Sequence, residues 1–143
     1  MVARALWVAC ALALAASSAR PARGDEMGKP RHSGPGFLTW VGFEKTEGRP
    51  RVFVRLSSPP AGTLAQARAG DELVVSLPGY KLDNRNDGRA LDTRYFGTDV
   101  VRVVAQPKRG GLELRVRFKR GATEARLSTG QAPDGETLVN LDF

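Results

Sequence analysis

An internal repeat constrains the fold of this chain more than any other feature. Arg49–Tyr80 carries a short alternating apolar run, a break rich in proline and glycine, a weaker run, a turn and a second apolar run. Leu112–Phe143 presents the same order again, and the closest match is between Asp71–Leu77 and Gly135–Leu141, which places Leu73 at Thr137. Two copies are too few for a solenoid, which needs at least about three. We therefore expect one pseudo-symmetric domain with two related halves.

Within and around these copies, the apolar residues recur mainly with a period of two, which is typical of half-buried strands. Clusters of Gly, Pro, Asn and Asp bound the runs, and no stretch keeps helical spacing over three turns. The predicted strands are Phe37–Phe43, Arg51–Ser57, Leu73–Leu77, Val100–Gln106, Leu112–Lys119 and Thr137–Asp142, with weaker candidates at Thr63–Arg68, Leu91–Phe96 and Thr123–Ser128. Many short strands separated by such turns predict an all-β fold, an antiparallel β-sandwich of two pseudo-symmetric small sheets.

The N-terminus has the pattern of an export signal. Arg4 precedes the apolar run Ala5–Ala16, and small residues follow, so residues 1–19 are predicted to be a signal peptide. The run is shorter than the roughly 20 apolar residues of a transmembrane helix, and no later run is longer. Cys10 lies in a poor context for lipidation, because Trp7 stands where leucine is expected. We therefore expect a periplasmic or secreted protein whose mature chain has no cysteine.

A linker separates this leader from the predicted domain. Residues 20–36 are rich in proline, glycine and charge, which predicts a disordered segment, and they contain His32, the only histidine. Residues 37–143 are numerous enough for one domain with its own core.

The residue inventory argues against an enzyme. With no cysteine after cleavage and one histidine in the linker, no base is available beside a nucleophile, and no cluster has zinc-ligand spacing. We therefore predict no catalytic residue, no metal and no cofactor. Asp83–Gly88 matches a calcium loop only in part, because Arg85 takes a ligand position. Four aspartates between positions 83 and 99 could supply the carboxylate pair of a glycosidase, but arginines lie among them in a polar loop.

The chain is basic, with 22 Lys and Arg against 15 Asp and Glu and a formal net charge of +7. Such a balance favours an anionic partner. For an exported protein we expect peptidoglycan or an anionic wall polymer, and no nucleic acid. On Leu112–Lys119 and Arg51–Ser57 basic residues alternate with apolar ones, which predicts one basic face on each sheet.

Six residues on these two strands are the candidate ligand-binding set. The alternative is that they only form the polar side of half-buried strands, where long arginine stems cover apolar surface. If one face binds, we expect it to be the second copy's, where the basic alternation is unbroken. The candidates are Arg51, Phe53, Arg55, Arg115, Arg117 and Lys119, with Phe53 as the stacking group.

Four segments together resemble the AMIN domain, which occurs in bacterial cell-wall amidases and in the secretins of type IV pilus machines. The matching segments are Val52–Leu56, Asp71–Gly79, Gly97–Gln106 and Leu112–Phe118. The resemblance implies a sandwich of two related sheets and a periplasmic, non-catalytic domain. It also implies peptidoglycan binding through the outer sheet faces and the localisation of envelope machinery. Neither an amidase nor a secretin follows Phe143, so we expect a stand-alone copy.

The leading hypothesis is an exported peptidoglycan-binding domain of the cell envelope, and two alternatives remain. One is a protein-interaction adaptor that docks on a pilus, secretion or cell-division complex, with an amidase, a secretin or a division protein as partner, through a sheet edge. Its contacts would be aromatic, although we expect all four candidate aromatic residues in the core, with Trp40 as the main anchor. The other alternative is an inhibitor of a wall hydrolase. The four aromatic residues are Trp40, Tyr80, Tyr95 and Phe96.

Overall fold

The computed structural model describes residues 36–143, so the predicted signal peptide, Cys10 and all but the last residue of the predicted linker lie outside the described residues. Within this range the chain forms ten strands and two short 3₁₀ helices. The strands are β1 (Phe37–Thr46), β2 (Arg49–Leu56), β3 (Gln66–Ala69), β4 (Glu72–Pro78), β5 (Lys81–Leu82), β6 (Leu91–Asp92), β7 (Val100–Lys108), β8 (Gly111–Phe118), β9 (Arg126–Gln131) and β10 (Thr137–Asp142); the helices are Arg85–Gly88 and Arg94–Phe96.

These strands form two five-stranded sheets. Sheet A has the order β5-β1-β2-β10-β9, and sheet B has the order β3-β4-β8-β7-β6. Every ladder is antiparallel except the short parallel pair of β1 and β5. The all-β fold and the sandwich of two sheets are therefore confirmed.

Each half of the duplicated domain, β1–β4 in the first and β7–β10 in the second, contributes to both sheets. In sheet A the hairpin β1–β2 of the first half lies beside the hairpin β9–β10 of the second half. In sheet B the hairpin β7–β8 of the second half lies beside β3–β4 of the first half. The central ladders, β2 with β10 and β4 with β8, therefore join strands from different halves.

The two large hairpins correspond in detail. Glu47 and Gly48 connect β1 to β2 with positive φ angles of 52° and 80°, and Gly110 has a φ of 84° in the equivalent connection of β7 to β8. Such angles suit tight hairpin turns. Both hairpins also contain a register shift, between Leu38 and Trp40 in β1 and between Val100 and Arg102 in β7. A bulge of this kind inverts the alternation of side chains between the two faces.

The strand pairing gives an equivalence between the two halves that differs by two residues from the one that the sequence similarity suggested. Val54 lies opposite Val139, and Val116, which is equivalent to Val54 in the aligned hairpins, lies opposite Leu73. Leu73 is therefore equivalent to Val139, two residues beyond the Thr137 that the sequence match suggested. Because a shift of two residues preserves which face a side chain occupies, the inward pattern is unchanged.

The core fills the space between the two sheets. The strand pattern predicted its inward residues, since the alternate apolar residues of the central strands are fully buried. The fully buried side chains are Leu38, Leu56, Leu73, Leu77, Leu114, Leu141, Val52, Val54, Val75, Val100, Val103 and Val116.

The six main strands were predicted, whereas the weaker candidates were only partly correct. Thr63–Arg68 becomes a strand only from Gln66, and Leu91–Phe96 divides into the two-residue β6 and a 3₁₀ helix. β9 begins at Arg126, three residues after the predicted start. These segments are short and polar, so their conformation depends on the strand beside them more than on their own pattern.

Replacing Leu114 with alanine is expected to destabilise the domain by about 2–5 kcal/mol, because the residue is fully buried on the central strand β8 between Val75 and Ala105. Urea unfolding followed by tryptophan fluorescence measures the change. Arg109→Ala, in an exposed turn, should stay within about 0.5 kcal/mol of the wild type. Equal stability of both variants would contradict the assignment of the core.

Candidate functional site

The outer face of sheet A, which we call the aromatic face, consists of three cross-strand rows. Its residues come from the outward positions of β1, β2 and β10. They are Trp40, Arg55 and Leu138 in the first row, Gly42, Phe53 and Asn140 in the second, and Glu44, Arg51 and Asp142 in the third.

Trp40 lies on this face and not in the core. The prediction that it anchors the core is wrong, since 56% of its surface is exposed. The reason is the bulge in β1, which inserts one residue after the buried Leu38 and turns Trp40 outward, directly opposite Arg55. Val41, the next residue, then faces inward and packs against the core.

Phe53 lies flat over the glycine of the neighbouring strand. A β-carbon on Gly42 would lie 2.2 Å from Phe53 Cζ, and two more ring atoms would lie within 2.7 Å. The absence of a side chain on Gly42 therefore lets the Phe53 ring rest against the sheet. Trp40 lies two residues before Gly42 and therefore on the same face of β1. The Trp40 and Phe53 side chains together form an aromatic surface on sheet A.

The arginines of the aromatic face are neutralised by carboxylates of the same domain. Arg51 binds Asp142 through Nε and Glu44 through Nη1, the latter at 3.0 Å. The hydrogen bonds that Arg51 donates to Asp142, and then to Glu44, raise the pKa of Arg51. Arg55 Nη1 lies 2.8 Å from Asp134 Oδ2. This face is therefore polar and aromatic, with little free positive charge.

The outer face of sheet B, which we call the arginine face, is built from β4, β7 and β8. Its central residue is Arg115, which binds Glu72 and Glu113 at 3.1 Å each. Lys108 also binds Glu113, and these bonds, that of Lys108 first, lower the pKa of Glu113. The rows of this face are Glu72, Arg117 and Arg102, then Val74, Arg115 and Val104, then Ser76, Glu113 and Gln106.

Part of this network covers apolar surface. Val104 is buried although it faces outward, directly opposite Arg115, and it is not a member of the inner core. The stem of Arg115 therefore has the covering role that we raised as the alternative to ligand binding.

Arg117 differs from the other candidate arginines. It is exposed, and no carboxylate of residues 36–143 pairs with it within 4.0 Å. It lies directly opposite Arg102 on β7 and lines a groove of about 450 Å³ with Arg94, Asp92 and other residues. Lys119 follows β8, is exposed, and likewise has no carboxylate partner among the described residues.

The remaining aromatic residues divide between core and surface. Tyr80 is buried, as predicted, and its hydroxyl donates to the carbonyl of Ser58. The same prediction is wrong for Tyr95 and Phe96, which are 89% and 49% exposed. Both belong to a 3₁₀ helix, where Phe96 contacts Phe43 at the end of the sandwich with a ring separation of 4.9 Å.

The candidate residues are thus divided between two faces on opposite sides of the sandwich. Arg51, Phe53 and Arg55 share the aromatic face, and Arg115 and Arg117 share the arginine face. Among residues 36–143, no group of three acidic, histidine or cysteine side chains could hold a metal. In the same range no helix is long and apolar enough to cross a bilayer.

The structure defines the class of protein as an all-β sandwich of two related sheets with an internal duplication. The sequence model of one such family, the AMIN domain, matches residues 41–140, and the chain belongs to this family. AMIN is a non-catalytic targeting domain of periplasmic or envelope proteins, and it associates with peptidoglycan and with amidases or secretins. No curated protein matches the chain.

Asp92 should titrate well below an ordinary aspartate. Its carboxylate accepts from Arg94 Nε at 3.0 Å and from Nη2 at 2.6 Å, which lowers its pKa to about 2. Because the folded-state pKa is lowered, any stabilisation by this pair is complete above the ordinary value near 3.8 and is lost as the pH falls through about 2. Carboxyl NMR titration should show a return toward 3.8 in Arg94→Gln and no change in Arg109→Gln.

Proposed function

We propose that this protein is an exported domain of the bacterial envelope that binds peptidoglycan through its outer sheet faces, with the glycan on the aromatic face. Family membership supports an envelope-localisation domain associated with peptidoglycan. The predicted signal peptide, residues 1–19, supplies the export step of the proposal.

The proposal depends mainly on one observation, the exposure of Trp40 on the outer face of sheet A, beside the half-buried Phe53. Large aromatic rings are expensive to leave in water, and exposed examples on one surface favour a binding role. The apolar side of a sugar ring is flat and stacks on such rings. Arg55 and Asn140 lie next to the rings and offer hydrogen bonds for sugar hydroxyl or amide groups.

The predicted ligand-binding residues take different parts in this proposal. Phe53 stacks, as the sequence suggested, and Trp40 joins it. Arg55 is held by Asp134 and orients toward the ligand, whereas Arg51 mainly maintains the face through its two carboxylates. On the arginine face, Arg117 and Lys119 retain free charge, and Arg115 holds the sheet surface together.

Trp40→Ala should weaken binding to purified sacculi at least tenfold, about 1.4 kcal/mol, because the stacking surface is lost while the core is untouched. Phe53→Ala should give a similar loss. A co-sedimentation assay with a range of sacculus concentrations measures the affinity. Tyr95→Ala is the matched control, since it removes a more exposed aromatic ring outside the aromatic face and should leave binding unchanged.

Two results of the co-sedimentation assay would contradict the proposal. If wild-type protein stays in the supernatant at low salt, peptidoglycan is not the ligand. If the Trp40 and Phe53 variants sediment like the wild type while Arg115→Ala/Arg117→Ala does not, the glycan is not bound on the aromatic face. Circular dichroism of each variant verifies that the fold is retained.

A second candidate function, a protein-interaction adaptor, is favoured by the free edge of β9. Ala132 N donates to Glu136 O at 2.8 Å, and the ladder continues from this pair. Because hydrogen-bonded pairs alternate in antiparallel ladders, the backbone groups of Leu127, Thr129 and Gln131 point away from β10. They have no backbone partner among residues 36–143, and neither proline nor lysine blocks the strand.

The edge strand of the other sheet, β3 in sheet B, is closed in a different way. Gln66 on β3 donates to the carbonyl of Ala125 and accepts from its backbone amide, both at 3.0 Å, so its side chain replaces a strand partner. Beside β9, residues 59–64 instead form one wall of a groove of about 480 Å³. An extended segment of a partner protein fits this edge by strand addition.

Thr129→Pro should abolish strand addition at β9, because it removes an outward N–H while the ladder with β10 loses no hydrogen bond. Thr129→Ala is the matched control, since it keeps the N–H and removes only the side chain. Binding of purified amidase or secretin domains from the same organism, measured by interferometry, should be lost only in the proline variant. Equal binding of the proline variant would exclude this edge as the contact.

A further inference from the structure

Two arginines of the arginine face occupy directly opposed positions on neighbouring strands. Arg102 on β7 is directly opposite Arg117 on β8, and like charges in directly opposed positions destabilise a sheet. No carboxylate of the described residues lies within 4.0 Å of either one. The fold therefore retains a charge arrangement that is unfavourable in the absence of an anion.

The two carboxylates on the same cross-strand row form ion pairs with other arginines. Glu72 is opposite Arg117, yet its carboxylate binds Arg115 on the neighbouring row. Asp92 is opposite Arg102, and its pKa is lowered first by hydrogen bonds from Arg94 and to a lesser extent by the charge of Arg102. Its three side-chain hydrogen bonds all come from Arg94 and none from Arg102. The cross-strand row thus has a carboxylate at each end, and each carboxylate forms its ion pair with an arginine outside the Arg102–Arg117 pair.

The pair opens into a groove that accommodates a small group. Ala90, Asp92, Arg94, Val101, Arg102 and Arg117 line this groove of about 450 Å³. Three guanidinium groups against one carboxylate leave two positive charges at its wall. The bulge in β7 after Val100 turns Arg102 outward, so backbone geometry places the two guanidinium groups on the same face.

We propose that the groove between Arg102 and Arg117 is an oxyanion-binding site, in which the two guanidinium groups hold one carboxylate or phosphate of the ligand. The planar donor forks of arginine match both groups in a bidentate manner. Arg94, fixed by Asp92, borders the site and limits the approach. The site lies on the opposite sheet from the aromatic face, so it binds a different part of the wall.

The proposal rests on the proposed function only for the source of the anion. In the wall the oxyanion is either a carboxylate of the peptide stem or a phosphate of an attached polymer. Both have the same chemistry toward arginine, and two titrations separate them.

The test is an NMR titration of the ¹⁵N-labelled protein with three probes: inorganic phosphate, trialanine, and trialanine amide, which lacks the terminal carboxylate. We expect saturable shifts at the Arg102 and Arg117 amides with phosphate, with trialanine, or with both, and at least tenfold weaker binding of the amide. Preference for phosphate indicates the polymer, and preference for trialanine indicates the peptide stem. Arg102→Gln/Arg117→Gln should weaken the preferred probe at least tenfold.

The control is Arg85→Gln/Arg109→Gln, which removes the same charge from two exposed arginines that do not line the groove. This control variant should bind the probes with the same affinity as the wild type. Shifts that do not saturate, or that are equal in the groove variant and the control, would overturn the site. If sacculi fail to retain the wild type while the titration succeeds, the proposed function fails and the groove stands. If sacculi retain the wild type and both arginine double variants equally and no probe saturates, the groove proposal fails and the proposed function stands.

Thermal unfolding separates a binding role from a structural one. Removing one member of a like-charge pair relieves repulsion, so Arg117→Gln should have the same Tm as the wild type or a higher one at low salt. A Tm several degrees lower would mean that Arg117 supports the sheet, and it would overturn the proposal.

Discussion

The fold depends on two ladders that join different halves of the chain. β2 pairs with β10 and β4 pairs with β8, so neither half can complete a sheet by itself. Val54 meets Val139 and Leu73 meets Val116, and all four side chains are buried between the sheets. Because these contacts are distant in sequence, the entropy of chain closure must be overcome before the core forms. We therefore expect the two halves to fold as one cooperative unit.

This pairing of strands from different halves also determines where the functional residues lie. β2 and β8 are equivalent strands of the repeat, and each occupies the centre of a different sheet. Their outward arginines, Arg55 and Arg117, occupy equivalent positions. The residue opposite Arg55 is Trp40, whereas the residue opposite Arg117 is Arg102. Equivalent positions of the two halves thus carry an aromatic surface on one side and a cationic groove on the other.

Sequence reasoning identified the central strands because their apolar residues alternate regularly, and it failed where backbone geometry breaks that alternation. A bulge inserts one extra residue and has no distinct composition, so the alternation of β1 predicted that Trp40 lies in the core. Aligning Leu38–Leu56 with Val100–Phe118 could have related Trp40 to Arg102 and identified the second arginine. The ion pairs could not be predicted from the sequence, because partners such as Arg55 and Asp134 are brought together only by the tertiary fold. The parallel strand β5 contains two residues, too few for a pattern.

The geometry limits how both faces can be used together. Packed sheets lie about 10 Å apart, and their outer faces point in opposite directions. A single short ligand segment therefore cannot contact Trp40 and Arg117 at once. Simultaneous use of both faces needs either two ligand chains or one chain that passes around an edge of the sandwich. Two weak contacts on one network raise the effective concentration of the second contact. Retention on an extended polymer can then be strong even where each face binds a soluble fragment weakly.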